Sequence, residues 1–261
     1  MSSDDVRPIG GSPTLDAAVR ALEARILDDL EPGQQLPSEA ELAEQLGVSR
    51  LTVRESLKML AGRGLVQLSK GRRPVVREPD SSVISAFLAS TVKRDPRRLL
   101  ELGEIRMALE EMAAATAARN GTRAAFAAIE AALDDMRLAI EIPGDEGIER
   151  YHIADVAFHE SLALASGNRM LALVLQSLED SLHQSFRVSY QGHLARGGTV
   201  HEVIEAHRRI LDAVKSSDPI AAAEAMHAHL IDGERDLRHA LLNNTNTNSS
   251  AQSRDTGVPI S

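Results

Sequence analysis

The chain has no cysteine and no tryptophan, and aromatic residues make up only 2% of its 261 positions. Without thiols there is no disulfide and no thiolate-held metal, so any metal site must be built from His and carboxylates. The scarcity of aromatics, set against abundant Ala and Leu, favours closely packed helices over sheets. Long hydrophobic runs are missing too. No apolar stretch approaches the length of about 18 residues that a bilayer-spanning helix needs. The opening MSSDDVRPIG is too polar to act as a secretory leader. The expectation is a cytoplasmic protein with no membrane partner.

What is present is unevenly spread. The net charge is −9, which on its face argues against nucleic acid. Yet between Arg50 and Arg77 eight Lys and Arg face a single acid, Glu55, for a local net of +7. A basic face matters more for DNA than the chain total. The nine His show the opposite bias, all lying at or beyond His152. Two chemistries are segregated along one chain.

The hydrophobic periodicity gives a mainly α protein. Residues 1–13 are polar and rich in Gly and Pro, and are expected to be a flexible arm. A helix begins with Thr14 as its cap, carries Leu15, Val19, Leu22 and Ile26 on one stripe, and stops at Glu31-Pro32-Gly33. Ser38 and Glu41 have the spacing of a capping box that opens a second, short helix ending at Gly47. Ser49 caps a third, which reaches about Gly62. Leu65–Leu68 and Pro74–Arg77 then form a hairpin, or wing, around Lys70-Gly71-Arg72-Arg73. These elements define a domain at 14–79. Helices follow at 82–93, 97–119, 122–140, 146–166, 169–190, 200–216 and 219–242, making a second, all-α domain over 80–242. The polar segment 243–261 is expected to be a disordered tail.

A short helix, a Gly turn and a second helix opening Ser49-Arg50 is the layout of a helix-turn-helix, whose second helix enters the major groove. Arg50 and Arg54 are four apart and share a face, suited to guanine edges or phosphates. Ser49 and Thr52, with the free N–H groups of the helix start, suit phosphate. Lys70, Gly71, Arg72 and Arg73 place further donors on the wing. The string LPSEAELAEQLGVSRLTVRESLKMLAGRGLVQLSKGRRPVV resembles the N-terminal domain of GntR-type bacterial regulators. The resemblance implies a winged helix-turn-helix in which Ser49, Arg50, Arg54 and the Lys70-Gly71 wing touch double-stranded operator DNA. Ala40 departs from the pattern, standing where many members carry a DNA-contacting Arg.

In the second domain the stripe Ile148, His152, Asp155, His159, Leu162, Ser166 keeps one helix face. His207 lies on the stripe Val203, Ile210, Val214, and His229 aligns with Ala222, Met226, Gly233 and Leu237. Three helices would bring Asp155, His159, His207 and His229 together. Two readings stand side by side: separate core histidines, each with its own hydrogen bond, or ligands of one divalent transition ion. His152 is the substitute ligand; His183, His193, His201, His227 and His239 are read as surface or outer residues. Residues 97–240 resemble the FCD-type effector domain of one GntR subfamily. The resemblance rests on Glu104-Ile-Arg106 with Leu109-Glu110, Asp155-x-x-Phe158-His159, Ser166-Gly167-Asn168, Glu205-x-His207-x-x-Ile210 and His229-Leu230. It implies a bundle of six or seven helices with Asp155, His159, His207 and His229 holding zinc or nickel.

Arg106 falls on the apolar stripe Leu99, Leu102, Leu109, where a guanidinium needs an anion. It either captures a ligand carboxylate or pairs internally with Glu110. Asn168 either lines the pocket or caps the following helix. The functional expectation is a homodimeric, sequence-specific transcription regulator, a repressor by default, that reads an imperfect palindrome and answers to a small carboxylate or sugar acid. No catalytic residues are assigned. The rival is a metal-dependent enzyme in the helical domain, for which no general base is evident beside the His/Asp group.

Overall fold

A computed structural model describes the backbone of residues 13–252, and side chains there except at 13, 180, 181, 183–188 and 240–252. The expected arm, but for Pro13, and the last part of the expected tail lie outside these residues. The chain divides into two compact units at Val83/Ile84.

In the first unit, α1 (Pro13–Asp29), α2 (Glu39–Leu46) and α3 (Arg50–Gly62) are followed by β1 (Val66–Gln67) and β2 (Val75–Val76). Pro13 is the first helical residue, so Thr14 sits inside the first turn instead of capping it; the fixed φ of proline suits that place. The capping box forms as expected: Ser38 Oγ accepts from Glu41 N, and Glu41 Oε2 accepts from Ser38 N at 2.7 Å. Gly47 closes α2 in the left-handed conformation at φ 64°, a conformation costly for a residue with a side chain. Ser49 caps α3. The strands pair antiparallel, Val66 opposite Val76 and Gln67 opposite Val75. The segment after α1 adds a bridge between Gln35 and Val75, with Leu36 N donating to Pro74 O at 2.8 Å. The wing is thereby tied to the rest of the head. Leu22, Leu36, Leu42, Val53, Leu57 and Leu60 form its core.

In the second unit, α4 (Ser82–Arg94), which begins at the division, leads into α5 (Arg98–Asn120), α6 (Arg123–Ala139), α7 (Asp145–Ala165), α8 (Arg169–Ala195), α9 (Val200–Lys215) and α10 (Pro219–Gln252). One core gathers Ile129, Leu133, Met136, Phe158, Leu162, Ile210 and Met226 from α6, α7, α9 and α10. A second gathers Leu99, Leu102, Leu171, Leu175, Leu178, Leu182 and Leu237 from α5, α8 and α10. The backbone of α10 stays helical to Gln252, past Asn243 where the tail was expected to begin. Extending a formed helix adds a hydrogen bond per residue without a new nucleation cost, which polar composition alone does not reveal. Among the described residues no helix is long and apolar enough to cross a membrane.

Candidate functional site

In the head, α3 presents Ser49 and Arg50 at its exposed N-terminus. Ser49 Oγ accepts from Thr52 N at 3.0 Å and lies 2.8 Å from Thr52 Oγ1, so the two hydroxyls are tied to each other and to the helix start. Arg50 has no ion-pair partner among the described residues. Arg54 differs: Glu39 on α2 grips it, with Nε 3.1 Å from both carboxylate oxygens and one terminal amino group 2.7 Å from Oε2. That pair lowers the Glu39 carboxyl below its ordinary value, chiefly through the hydrogen bond from Arg54. It is exposed, and holds the guanidinium in place more than it neutralises it. Lys70, Gly71 and Arg72 lie exposed at the wing tip, where Gly71 turns the chain at φ 73°. Arg73 instead pairs with Glu41 at 3.2 Å.

In the helical unit, α7, α9 and α10 bring His159, His207 and His229 together, with one nitrogen of each within 4.8 Å of the others. The other ring nitrogens of His159 and His207 are spoken for. His159 Nδ1 donates to Glu110 Oε2, and His207 Nδ1 donates to the Val203 carbonyl of its own helix at 2.8 Å. These bonds set the tautomers, leaving the Nε2 lone pairs to face inward. Both Nε2 atoms are buried without a hydrogen bond. Asp155 Oδ1 lies 3.1 Å from His207 Nε2, a carboxylate opposite a lone pair, which is repulsive unless a proton or a cation intervenes. Burial opposes the charge on Asp155, but when the cluster carries protons the hydrogen bond and charge of His207, then the charges of His159 and His229, outweigh it and hold its carboxyl far below the ordinary range. Burial, reinforced by His207 and His159, drives His229 well below the usual imidazole value, so it stands ready as a neutral ligand. The donor set of three imidazoles and one carboxylate fits a borderline divalent ion. His152 is buried but outside this cluster; it lines the neighbouring cavity.

That cavity, about 320 Å³, borders the cluster through Asp155 and His229 and takes Arg106 into its wall. Arg106 Nε lies 2.5 Å from Glu110 Oε1 and 2.7 Å from Glu179 Oε1. The internal ion pair weighed for Arg106 therefore exists, and with two acids instead of one. Its terminal amino groups make no hydrogen bond among the described residues. Burial works against the Glu110 charge, yet Arg106 and then His159 hold its carboxyl down to about 2. Glu179 goes the other way: burial, with the charge of Glu110 added, outweighs Arg106 and pushes it up to about 7. One guanidinium does not satisfy two buried carboxylates.

Asn168 requires a correction. It is exposed and is not among the cavity-lining residues, and its Oδ1 accepts from Leu171 N at 3.1 Å as the cap of α8. A side chain spent on a helix end is not free for a ligand. His193, one of the surface or outer residues, lines the cavity, with Nδ1 3.1 Å from Asp236 Oδ2 and Nε2 3.1 Å from the Thr199 carbonyl. Glu179, His193 and Asp236 are among the cavity residues to which sequence reasoning gave no role there. A signal existed for two of them: each acid neighbours a stripe leucine, Glu179 beside Leu178 and Asp236 beside Leu237.

A winged helix-turn-helix with a bare basic helix start, joined in one chain to a helical unit with a polar-lined cavity, defines a DNA-binding transcription regulator. The comparisons agree, and they say which kind. Residues 14–76 match the bacterial regulatory proteins of the gntR family, and residues 101–232 match the FCD domain. The chain belongs to the gntR family and carries an FCD domain. It is 32% identical over 219 residues to the Glc operon transcriptional activator of Escherichia coli (strain K12), covering 84% of this chain and 86% of that protein. It is 34% identical over 207 residues to the HTH-type transcriptional regulator LutR of Bacillus subtilis, covering 79% and 92%. Among solved structures, Streptococcus agalactiae GntR aligns with a TM-score of 0.66 at 27% identity, over 85% of this chain and 99% of its own. These relatives are transcription regulators, not enzymes, so the rival reading of a metal-dependent enzyme is set aside.

Proposed function

We propose that the protein is a homodimeric repressor whose hold on an imperfect palindromic operator is released by a small carboxylate or sugar acid. The reading rests above all on Arg106, whose unengaged terminal amino groups stand in the wall of a cavity that also contains Asp155 and His229. Arg50 and Arg54 read base edges, while Ser49, Thr52 and the wing residues Lys70, Gly71 and Arg72 hold the backbone. Asp155, His159, His207 and His229 bind a divalent transition ion, zinc or nickel. When bound, that ion supplies a Lewis-acidic contact for ligand oxygens. Arg106 supplies the paired donors for the carboxylate. The domains run as 14–79 for the head and 80–242 for the sensor.

The test begins with selection of duplexes from a random pool by the purified chain, followed by fluorescence titration of the winning site with a panel of carboxylic acids. An enriched palindrome, bound by two copies and released by one class of acid, supports the reading. Failure to enrich any site would sink the operator assignment. An operator complex indifferent to every acid would sink the effector assignment alone. Placing the operator upstream of a reporter gives the sign, since a repressor silences it until the acid is added.

A further inference from the structure

One side chain on the outer face of α3 has no hydrogen bond to offer and no place in the core. Val53, Ser56, Leu57 and Leu60 turn inward and are buried. Arg50, Leu51, Arg54 and Lys58 are exposed on the other side. Leu51 belongs neither to the core of the head nor to the partly buried hydrophobics around it. It is 64% exposed, the most of any large hydrophobic among the described residues of the head. A leucine alone on a surface needs no explanation. This one stands among hydrogen-bonding groups: Ser49 and Arg50 before it, Thr52 after it, and Arg54 one turn on along the same face.

Its neighbours are already aimed. The Ser49 and Thr52 hydroxyls are tied to each other and to the helix start, and Glu39 grips Arg54. Leu51 is therefore carried into the major groove wherever Arg50 and Arg54 go. Along the base edges of that groove the apolar group is the C5 methyl of thymine. Packed on that methyl, a leucine takes apolar surface out of water on both sides. Against cytosine the methyl is missing, and against a purine a polar N7 is stripped of water with nothing in exchange. On the footing that α3 reads the operator as proposed above, we propose that Leu51 is a specificity-determining residue, packing on the methyl of one thymine in each half-site, beside the base that Arg54 reaches. The preference it creates is apolar, so it is indifferent to salt, unlike the phosphate contacts around it.

Deoxyuridine tests this, since it removes the methyl of a thymine and leaves the pairing intact. It is placed at each thymine of the selected operator in turn, and the full chain is titrated by fluorescence at low and high salt. One thymine per half-site is expected to lose about fourfold in affinity, the effect of burying one CH2 group, by the same factor at both salts. At that position 5-methylcytosine should bind more tightly than cytosine by a similar factor. In Leu51→Ala thymine and uracil there should bind nearly alike, while the melting of the head stays in place because the side chain is exposed. An unchanged thymine-to-uracil ratio in Leu51→Ala, a selected site in which no methyl matters, or a melt lowered by several degrees overturns the assignment of Leu51 and leaves the operator reading standing. If no site is selected at all, the operator reading itself falls and takes this one with it.

Discussion

The two units bury different things. The head hides Leu, Ile, Val and Ala, with Ser56 as the polar exception in its helical core, bonded to the Thr52 carbonyl at 2.9 Å. All its charges lie outside. The helical unit buries Glu110, His152, His159, Glu179, His207 and Asp236 among its leucines. Burying charge stabilises nothing by itself, and apolar replacements often do as well or better. The head is built to hold one shape and present it. The helical unit keeps groups that its own side chains leave unfavourable, and in the function proposed above a ligand and an ion satisfy them.

Changes that break this contrast should have graded effects. The largest is expected for Glu110→Ala, which strips Arg106 and His159 of a shared partner in the core: about 3–5 kcal/mol lost in urea unfolding of the helical unit. A loss below about 1 kcal/mol would mean that the buried network is not coupled as described. Next comes Leu57→Ala in the head, about 2–5 kcal/mol from apolar burial and cavity formation alone. Its melting should be insensitive to chelator, whereas the proposed ion predicts that chelator lowers the melting of the helical unit, and no change there would remove the ion from the proposal. Arg50→Ala should leave both melts in place and cost about 1–3 kcal/mol of operator affinity, read by titration against the selected site. No change in affinity would remove Arg50 from the interface.

Two smaller effects sharpen the contrast. Glu179 sits with its carboxyl raised from 4.5 to about 7, mainly by burial, so the fold favours its protonated form. That contribution is complete below 4.5 and is lost as pH rises through about 7. Glu179→Gln should therefore gain on the native chain in thermal melts as pH goes from 5 to 8, and parallel curves would contradict the assignment. The least effect is expected from Lys58→Ala, which removes an exposed pair with Glu55 on α3: under about 1 kcal/mol, and less in high salt.

What the sequence disclosed follows the same division. The capping box at Ser38 and Glu41, the Gly47 stop, the Ser49 cap and the hairpin were legible because each signal lies within a few residues of its effect. The bridge from Gln35 to Val75 was not, since nothing local marks a partner so far along the chain. In the sensor, His159, His207 and His229 were found because an imidazole on an apolar stripe is conspicuous. Glu179 and Asp236 escaped because an acid next to a stripe leucine reads as the solvent edge of a helix. Only the packing of α8 against α5 and α10 turns that edge inward. Asn168 carried two meanings in sequence, and the start of α8 chose the humbler one.

The bond from His207 Nδ1 to the carbonyl of Val203 has a mechanical side. The ring is clamped to its own helix, one turn back, so its aim does not depend on neighbours. Coordination of the proposed ion would then measure how far α9 stands from α7 and α10, like the jaws of a caliper. An ion with bond lengths of about 2.0–2.1 Å to nitrogen tolerates little play. Loading it would gauge the spacing of three helices at once, and a helix sliding by a fraction of an ångström would be felt at the metal before it was felt anywhere else.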